Sequence, residues 1–368
     1  MNFLLPIEIW LLIFNKCKFL DQIHLILVSK LFFQFEIYDF FNIDMKYQKL
    51  LTNDILFNYS GIKYLGLNYN FNITNLNHMT KLQKLCACGN CGLSENGISQ
   101  LNLIELDVTG NPKITNINHM TKLQILNASH DSGLNDHGIS QLNLIELHVD
   151  YNPKITNINH MTELQILEAC SCSGLDDDGI SQLNLIKLNV KRNLKITNIN
   201  HMTKLQILNA SLSDLNDGGI SQLNEIQLNA SCSPKITNLN HMTKLQILNA
   251  SSSDLNDDGI SQLNLIELNI TDNNNVTNLN HMTKLQILKA KGQSGLNNHG
   301  ISQLNLIELD VSNNSKITNI NHMSKLQILK AVGKSGLNDG GIRELNLVQL
   351  DVSGNPKITG GTTYHKYL

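Results

Sequence analysis

The chain has 368 residues, is 41% hydrophobic and 16% charged, and carries a formal net charge of −3. A balance this close to neutral gives no electrostatic footprint for nucleic acid or an anionic membrane, so neither is expected as a partner. Seven cysteines, an odd number at irregular spacing, argue against a disulfide framework and for a reducing compartment, cytoplasm or nucleus.

The chain opens on the apolar run Phe3–Phe14. It lacks a basic leader and a small-residue cleavage site, contains Pro6 and Glu8, and is too short to span a bilayer, so it does not read as a signal or an anchor. Residues 3–35 have helical periodicity instead. Ile9, Leu12 and Ile13 share one face, and Ile23, Leu27 and Leu31 share another, as in short amphipathic helices. Pro6 suits a helix start and Asp21 a cap. On periodicity alone this segment is a cap over whatever follows. Residues 36–60 form an amphipathic connector, with helical spacing at Ile43, Tyr47, Leu50 and Leu51. It is expected to seal the first coil at Ile62–Leu67.

Composition changes near residue 72. All ten Phe and the single Trp10 lie before it, and Tyr151 is the only aromatic from there to residue 363. A small globular unit needs bulky side chains, whereas a stack of repeats needs uniform ones. The uniform part repeats: the His of an Asn-His-Met word falls at His78, His119, His160, His201, His241, His281 and His322, spaced by 41, 41, 41, 40, 40 and 41 residues. A Gly-Ile-Ser word keeps the same beat from Gly97 to Gly300, with Gly-Ile-Arg at Gly341.

Each unit holds two related halves, so the true period is 20 to 21 residues. Leu144, Leu147 and Val149 are expected to point inward, with Glu146, His148 and Asp150 alternating outward. Asn152 is placed to turn its amide inward onto backbone groups left unpaired by the bend. Ile155, Ile158 and Met161 then close the coil, and Gly-Ile-Ser-Gln-Leu is expected to form a short helical turn. One such coil cannot bury its own apolar face, but a stack of them can. Fifteen strand-like cores are expected, from Tyr64 to Leu347. The inward Asn recurs at Asn70, Asn111, Asn152, Asn193, Asn273, Asn314 and Asn355; the alternate halves place Asn90, Asp131, Cys172, Ser213, Ser253, Gln293 and Lys334 there. Lys334 cannot act as an inward ladder residue, which predicts an irregularity near it.

Chemistry is sparse. The seven histidines lie two coils apart, roughly 10 Å by strand spacing, so no two can share a zinc ion; they read as turn residues. Cys86, Cys88 and Cys91 are close, but no fourth ligand is evident, and no metal or other cofactor is expected. His148 and Cys170 fall on neighbouring strands, yet an open sheet face offers no pocket and no oxyanion donors, even with Ser129 nearby. Gly110–Thr115 lacks the second glycine and the Lys-Ser/Thr ending of a phosphate loop. No catalytic site is expected.

The half-units Leu144–Asn152 and Leu164–Cys172 follow LxxLxLxxN and resemble the leucine-rich repeat, whose period is 20–29 residues. Ahead of them, Leu5-Pro6-x-Glu8-Ile9, Ile13-Phe14, Asp21 and Leu25-x-Leu27-Val28-Ser29-Lys30 resemble an F-box. Cys17, Lys18 and Phe32-Phe33 depart from its usual residues. The order of the two parts is that of the F-box/leucine-rich-repeat family. The resemblance implies an α/β repeat protein: a helical F-box-like module (1–45), a connector (46–61), a leucine-rich-repeat solenoid with parallel strands on its concave face (62–360) and a tail (361–368). It also implies a substrate-recognition subunit of a ubiquitin ligase. Leu5, Pro6, Ile9, Ile13, Phe14, Leu25 and Val28 would dock a Skp-type adaptor and through it a cullin, while the concave face would hold a target protein. The rival reading is a stand-alone recognition scaffold with a helical cap. Heavy use of Asn, Ile and Lys, with Arg192 and Arg343 the only arginines, suggests an AT-rich genome such as that of a protist or a large DNA virus; for a virus the compartment would be the host cytoplasm.

Comparison of the units with one another places the target. The outward row is uniform at Asn189, Asn209, Asn229 and Asn249. Just before it the pattern breaks at His148, Asp150, Tyr151, Glu168, Cys170, Lys187, Lys191 and Arg192, which include the residue types that dominate binding energy.

Overall fold

A computed structural model of the chain describes residues 39–41, 45–57 and 61–359. The fold is built from three-residue strands separated by tight turns, and it divides into two units. The first holds the described residues up to Glu168 together with Cys172–Gly174; the second holds Ala169–Ser171 and everything from Leu175 onward.

In the first unit seven parallel strands stack in sequence order: β1 (Asp39–Phe40), β2 (Tyr64–Gly66), β3 (Lys84–Cys86), β4 (Glu105–Asp107), β5 (Ile125–Asn127), β6 (Glu146–His148) and β7 (Ile166–Glu168). Nine more stack the same way in the second, from β8 (Lys187–Asn189) to β16 (Gln349–Asp351). Each unit is a parallel-strand solenoid. β2 to β16 are the fifteen strands expected, while β1 lies within the stretch assigned to the N-terminal module.

Register explains why the period must be kept. Leu126 pairs with Leu147 and Leu147 with Leu167, so each central leucine sits on the next. All three are fully buried, as are Leu144 and Val149. Glu146 and His148 stay half-exposed on the outer face. At roughly 1.5–3 kcal/mol for burying each such side chain, a column of leucines is the main stabilising force, and it exists only between neighbouring coils.

The rest of each coil is turns. Ile155, Ile158 and Met161 are fully buried, and the Met161 N–H donates to the Ile158 carbonyl at 3.0 Å. The Gly-Ile-Ser word forms a single helical turn, for example Asp136–Ile139, capped by Asn135, whose Oδ1 accepts from the Gly138 N–H at 3.0 Å. Glycine is required at Gly138 because a Cβ there would collide with the Thr115 carbonyl of the preceding coil.

The inward Asn column behaves as expected in its own half-units. Asn152 is fully buried; its Nδ2 donates to the carbonyls of Ala128 (2.8 Å) and Leu134 (3.3 Å), and its Oδ1 accepts from the Lys154 N–H at 3.0 Å. In the alternate halves the expected column is displaced by one residue wherever the coil has an extra residue. Cys91, Ser132, Ser173, Ser294 and Ser335 are buried, while Asn90, Asp131, Cys172, Gln293 and Lys334 are exposed. Ser213 and Ser253, in the shorter coils, hold the position assigned to them. The additional residue bulges outward at the turn, so Lys334 causes no irregularity.

The connector forms two short helices, α1 (Met45–Gln48) and α2 (Asn53–Phe57). Leu51 and Leu56 are buried over the first coil, but Leu50 is 67% exposed. A polar group completes the seal: buried Gln48 accepts from the Asn68 N–H at 3.1 Å, and its own carbonyl accepts from Asn70 Nδ2 at 2.6 Å.

Candidate functional site

The sheet's outer face is set by a turn device that recurs in both units. One residue of every coil from Tyr69 to Gly354 has a left-handed backbone just after the strand. Five of these are glycine (Gly89, Gly110, Gly292, Gly333 and Gly354), but ten carry side chains, a conformation that disfavours any residue with a Cβ. Three positions earlier an Asn or Asp often shapes the bend. In the second unit Asn189, Asn209, Asn229, Asn249 and Asn269 each accept, through Oδ1, the N–H two residues on at 3.0–3.2 Å. The uniform asparagine row is therefore structural, committed to its own turns.

In the first unit the pattern gives way at β6 and β7. His148 and Glu168 occupy the turn-forming position, and His148 Nε2 instead lies 2.7 Å from Glu146 Oε1 on its own strand. At the left-handed positions stand His130 (φ 58°) and Tyr151 (φ 57°). Their rings stack, with centroids 5.1 Å apart and planes 6° from parallel, and Tyr151 remains 45% exposed. The His130 N–H donates to the Asp150 carbonyl at 2.7 Å, fixing one turn to the next. An exposed aromatic pair held by backbone geometry offers a flat surface that loses little freedom on binding.

Of the eight residues assigned to target binding, the structure groups His148, Asp150, Tyr151 and Glu168 in the first unit. Cys170, Lys187, Lys191 and Arg192 belong to the second. There Cys170 Sγ donates to the Asn189 carbonyl at 3.9 Å, and Lys191 and Arg192 are exposed, Arg192 with φ 57°. The seven residues expected to dock an adaptor, Leu5 to Val28, lie outside the described residues. His130 was not singled out from the sequence, although the 21-residue register with Tyr151 places it in the same column.

Two other groups depart from what the sequence suggested. Cys86 and Cys88, expected as small free side chains, are joined by a disulfide. They sit two residues apart, at the end of β3 and just beyond it, and face the same way. Glu225, not singled out at all, stands in the inward leucine column; it is fully buried, and no other described residue hydrogen-bonds either carboxylate oxygen. Loss of solvent, only partly offset by its own backbone amide, pushes its carboxyl up to about 7.

The histidines of the Asn-His-Met word hold coils together. Nε2 of His119, His160, His201, His241, His281 and His322 lies 3.0–3.2 Å from the carbonyl of the preceding Gly-Ile-Ser isoleucine.

No family model matches the sequence, and no curated relative matches it. Solved structures do. The functional domain of InlJ from Listeria monocytogenes, described as including a cysteine ladder, aligns at TM-score 0.50 and 22% identity over 78% of this chain and 71% of that one. A leucine-rich-repeat protein of Leptospira interrogans aligns at TM-score 0.54 and 18% identity, over 83% of this chain and 93% of that one. The chain has the leucine-rich-repeat fold. At these identities the likeness concerns the fold alone. Within that fold the outward strand positions and the turns after them are where the coils of this chain differ, and the leucine and Asn columns are where they agree. Among the described residues no helix is long and apolar enough to cross a membrane.

Proposed function

We propose that this leucine-rich-repeat chain is a recognition scaffold that binds a protein partner on the outer face of its sheet. The observation that carries this is the His130–Tyr151 stack, two exposed rings at strained left-handed positions that glycine fills in other coils. The left-handed backbone belongs to the turn of every coil; these two positions differ in carrying exposed, stacked rings, a rigid flat surface of the kind that binds partners. His148, paired to Glu146, and Asp150 would supply polar contacts around the rings. The scaffold would do no chemistry of its own; its contribution would be proximity. A photo-crosslinking residue at Tyr151 should capture one partner that the same residue at exposed Asn157 does not. Equal capture from both positions would remove the assignment.

The second reading makes the scaffold the target-binding part of a ubiquitin ligase, in the cytoplasm or nucleus, with a Skp-type adaptor and a cullin as its other partners. Its support is the run of F-box-like residues from Leu5 to Lys30. In a binding assay with a purified Skp-type adaptor, the intact chain should bind and a chain lacking residues 1–38 should not. If the intact chain fails to bind, only the scaffold reading stands.

A further inference from the structure

Cys86 ends β3 and Cys88 lies two residues beyond it, either side of the fully buried Ala87, and the disulfide shows that their side chains emerge on the same side. The register pairs Cys86 with Asp107 on β4. The two sulfurs and an Asp107 carboxylate oxygen lie within 4.8 Å of one another. Asn68 comes from the coil on the other side, its Oδ1 3.0 Å from Cys86 Sγ. Asp107 is held in place: its Oδ1 accepts from the Thr109 N–H at 2.9 Å and from the Thr109 hydroxyl at 2.6 Å. Cys91 does not join them. It is buried in the inward column, where its Sγ donates to the Ala87 carbonyl at 3.3 Å, and burial pushes its thiol up.

We propose that, once the disulfide is reduced, Cys86, Cys88 and Asp107 form a binding site for a thiophilic divalent cation of the zinc class, with Asn68 Oδ1 or water as fourth ligand. Two thiolates with a carboxylate and one neutral oxygen are a donor set that suits zinc better than hard cations such as magnesium or calcium. A tetrahedral ion with Zn–S bonds of about 2.3 Å needs its sulfurs roughly 3.8 Å apart. Two cysteines with Cα atoms 5.5 Å apart reach that separation by side-chain rotation, without movement of the strand. The two states exclude one another. A dithiol reductant supplies two electrons and two protons, opens the Cys86–Cys88 bond and leaves as its own cyclic disulfide. The two thiols then release two protons as the cation binds both thiolates. The site is therefore gated by redox state, and metal affinity falls as pH drops because protons compete for the sulfurs.

The test uses the full chain with Cys17, Cys170, Cys172 and Cys232 replaced by Ser, reduced and freed of reductant, and titrated with Co²⁺. One Co²⁺ per chain with thiolate-to-cobalt charge-transfer absorption is expected, displaced by Zn²⁺ and absent from the oxidised chain. Cys86→Ser or Cys88→Ser should abolish the absorption, and Asp107→Asn should weaken binding by about tenfold or more, with circular dichroism unchanged in each. The proposal fails if the reduced chain shows no such absorption, if the absorption survives either serine variant, or if Asp107→Asn binds as tightly as the parent.

Discussion

Glu225 takes the column that Leu103, Leu144, Leu185, Leu265, Leu306 and Leu347 fill in the other half-units. One coil away on either side the same column holds Leu205 and Leu245, both buried. A carboxyl there is tolerated in its neutral form, and its value of about 7 against an ordinary 4.5 sets the pH window. Below about pH 4.5 it is protonated in the folded and unfolded chain alike, and its ionisation costs nothing. Between 4.5 and 7 the unfolded chain loses the proton first, so stability falls as pH rises. Above 7 the loss is complete, on the order of 3 kcal/mol. Glu225→Gln should remove this dependence, and Glu225→Leu should add stability that is greater at pH 8 than at pH 4. Urea denaturation of the three chains across that range measures it; a gain from Glu225→Leu that does not grow with pH would mean that the carboxyl is not held neutral. The substitution was legible in the sequence as a charge within a leucine column. It is easily passed over because Ile226 and Leu228 beside it keep the local pattern apolar. Asp107 as a neighbour of Cys86 was legible in the same way, since strand register follows directly from the repeat.

The turns show which parts of an element can be read from sequence. Inward leucines, the Asn column of Asn152 and the helical turn at Gly-Ile-Ser were all legible, because each rests on residue type at a fixed spacing. The alternate column was misread by one position in the longer coils. An extra residue after the strand keeps the motif in line while sliding Ser132 or Ser335 inward, and a motif counted from the strand cannot register a bulge. The left-handed turn residues were not legible either, since Tyr, Arg and Leu are poor markers of that conformation. The Gly-Ile-Ser turn yields a sharp prediction. Gly138→Ala drives a Cβ into the Thr115 carbonyl, and a backbone atom cannot swing aside as a side chain can. The expected loss is about 3 kcal/mol, against well under 1 kcal/mol for alanine at Gly218, where the nearest atom is the side-chain oxygen of Asn216 at 3.2 Å. Thermal melts of the two variants compare them directly; equal melts would mean that the coils are not packed so closely.

Across the molecule, stability lies between successive coils, so damage should be local before it is global. Leu147→Asp would bury an unpaired charge between Leu126 and Leu167, at a cost of roughly 3 kcal/mol or more. Hydrogen exchange should quicken first around residues 123–170, and uniform protection there would contradict the stacked-coil account. Fold and repeat number follow from period and residue type alone, whereas the partner is a property of the few positions at which the coils differ. The central claim is that, among those positions, the His130–Tyr151 pair of the first unit is the binding surface. The most direct measurement is the affinity of the full chain for the partner captured at Tyr151, repeated with Tyr151→Ala, His130→Ala, Lys289→Ala and Lys291→Ala. The account predicts a loss of about 1–3 kcal/mol for each of the first two and little change for the two lysines. Unchanged binding in Tyr151→Ala and His130→Ala, with loss in the lysine variants, would contradict it.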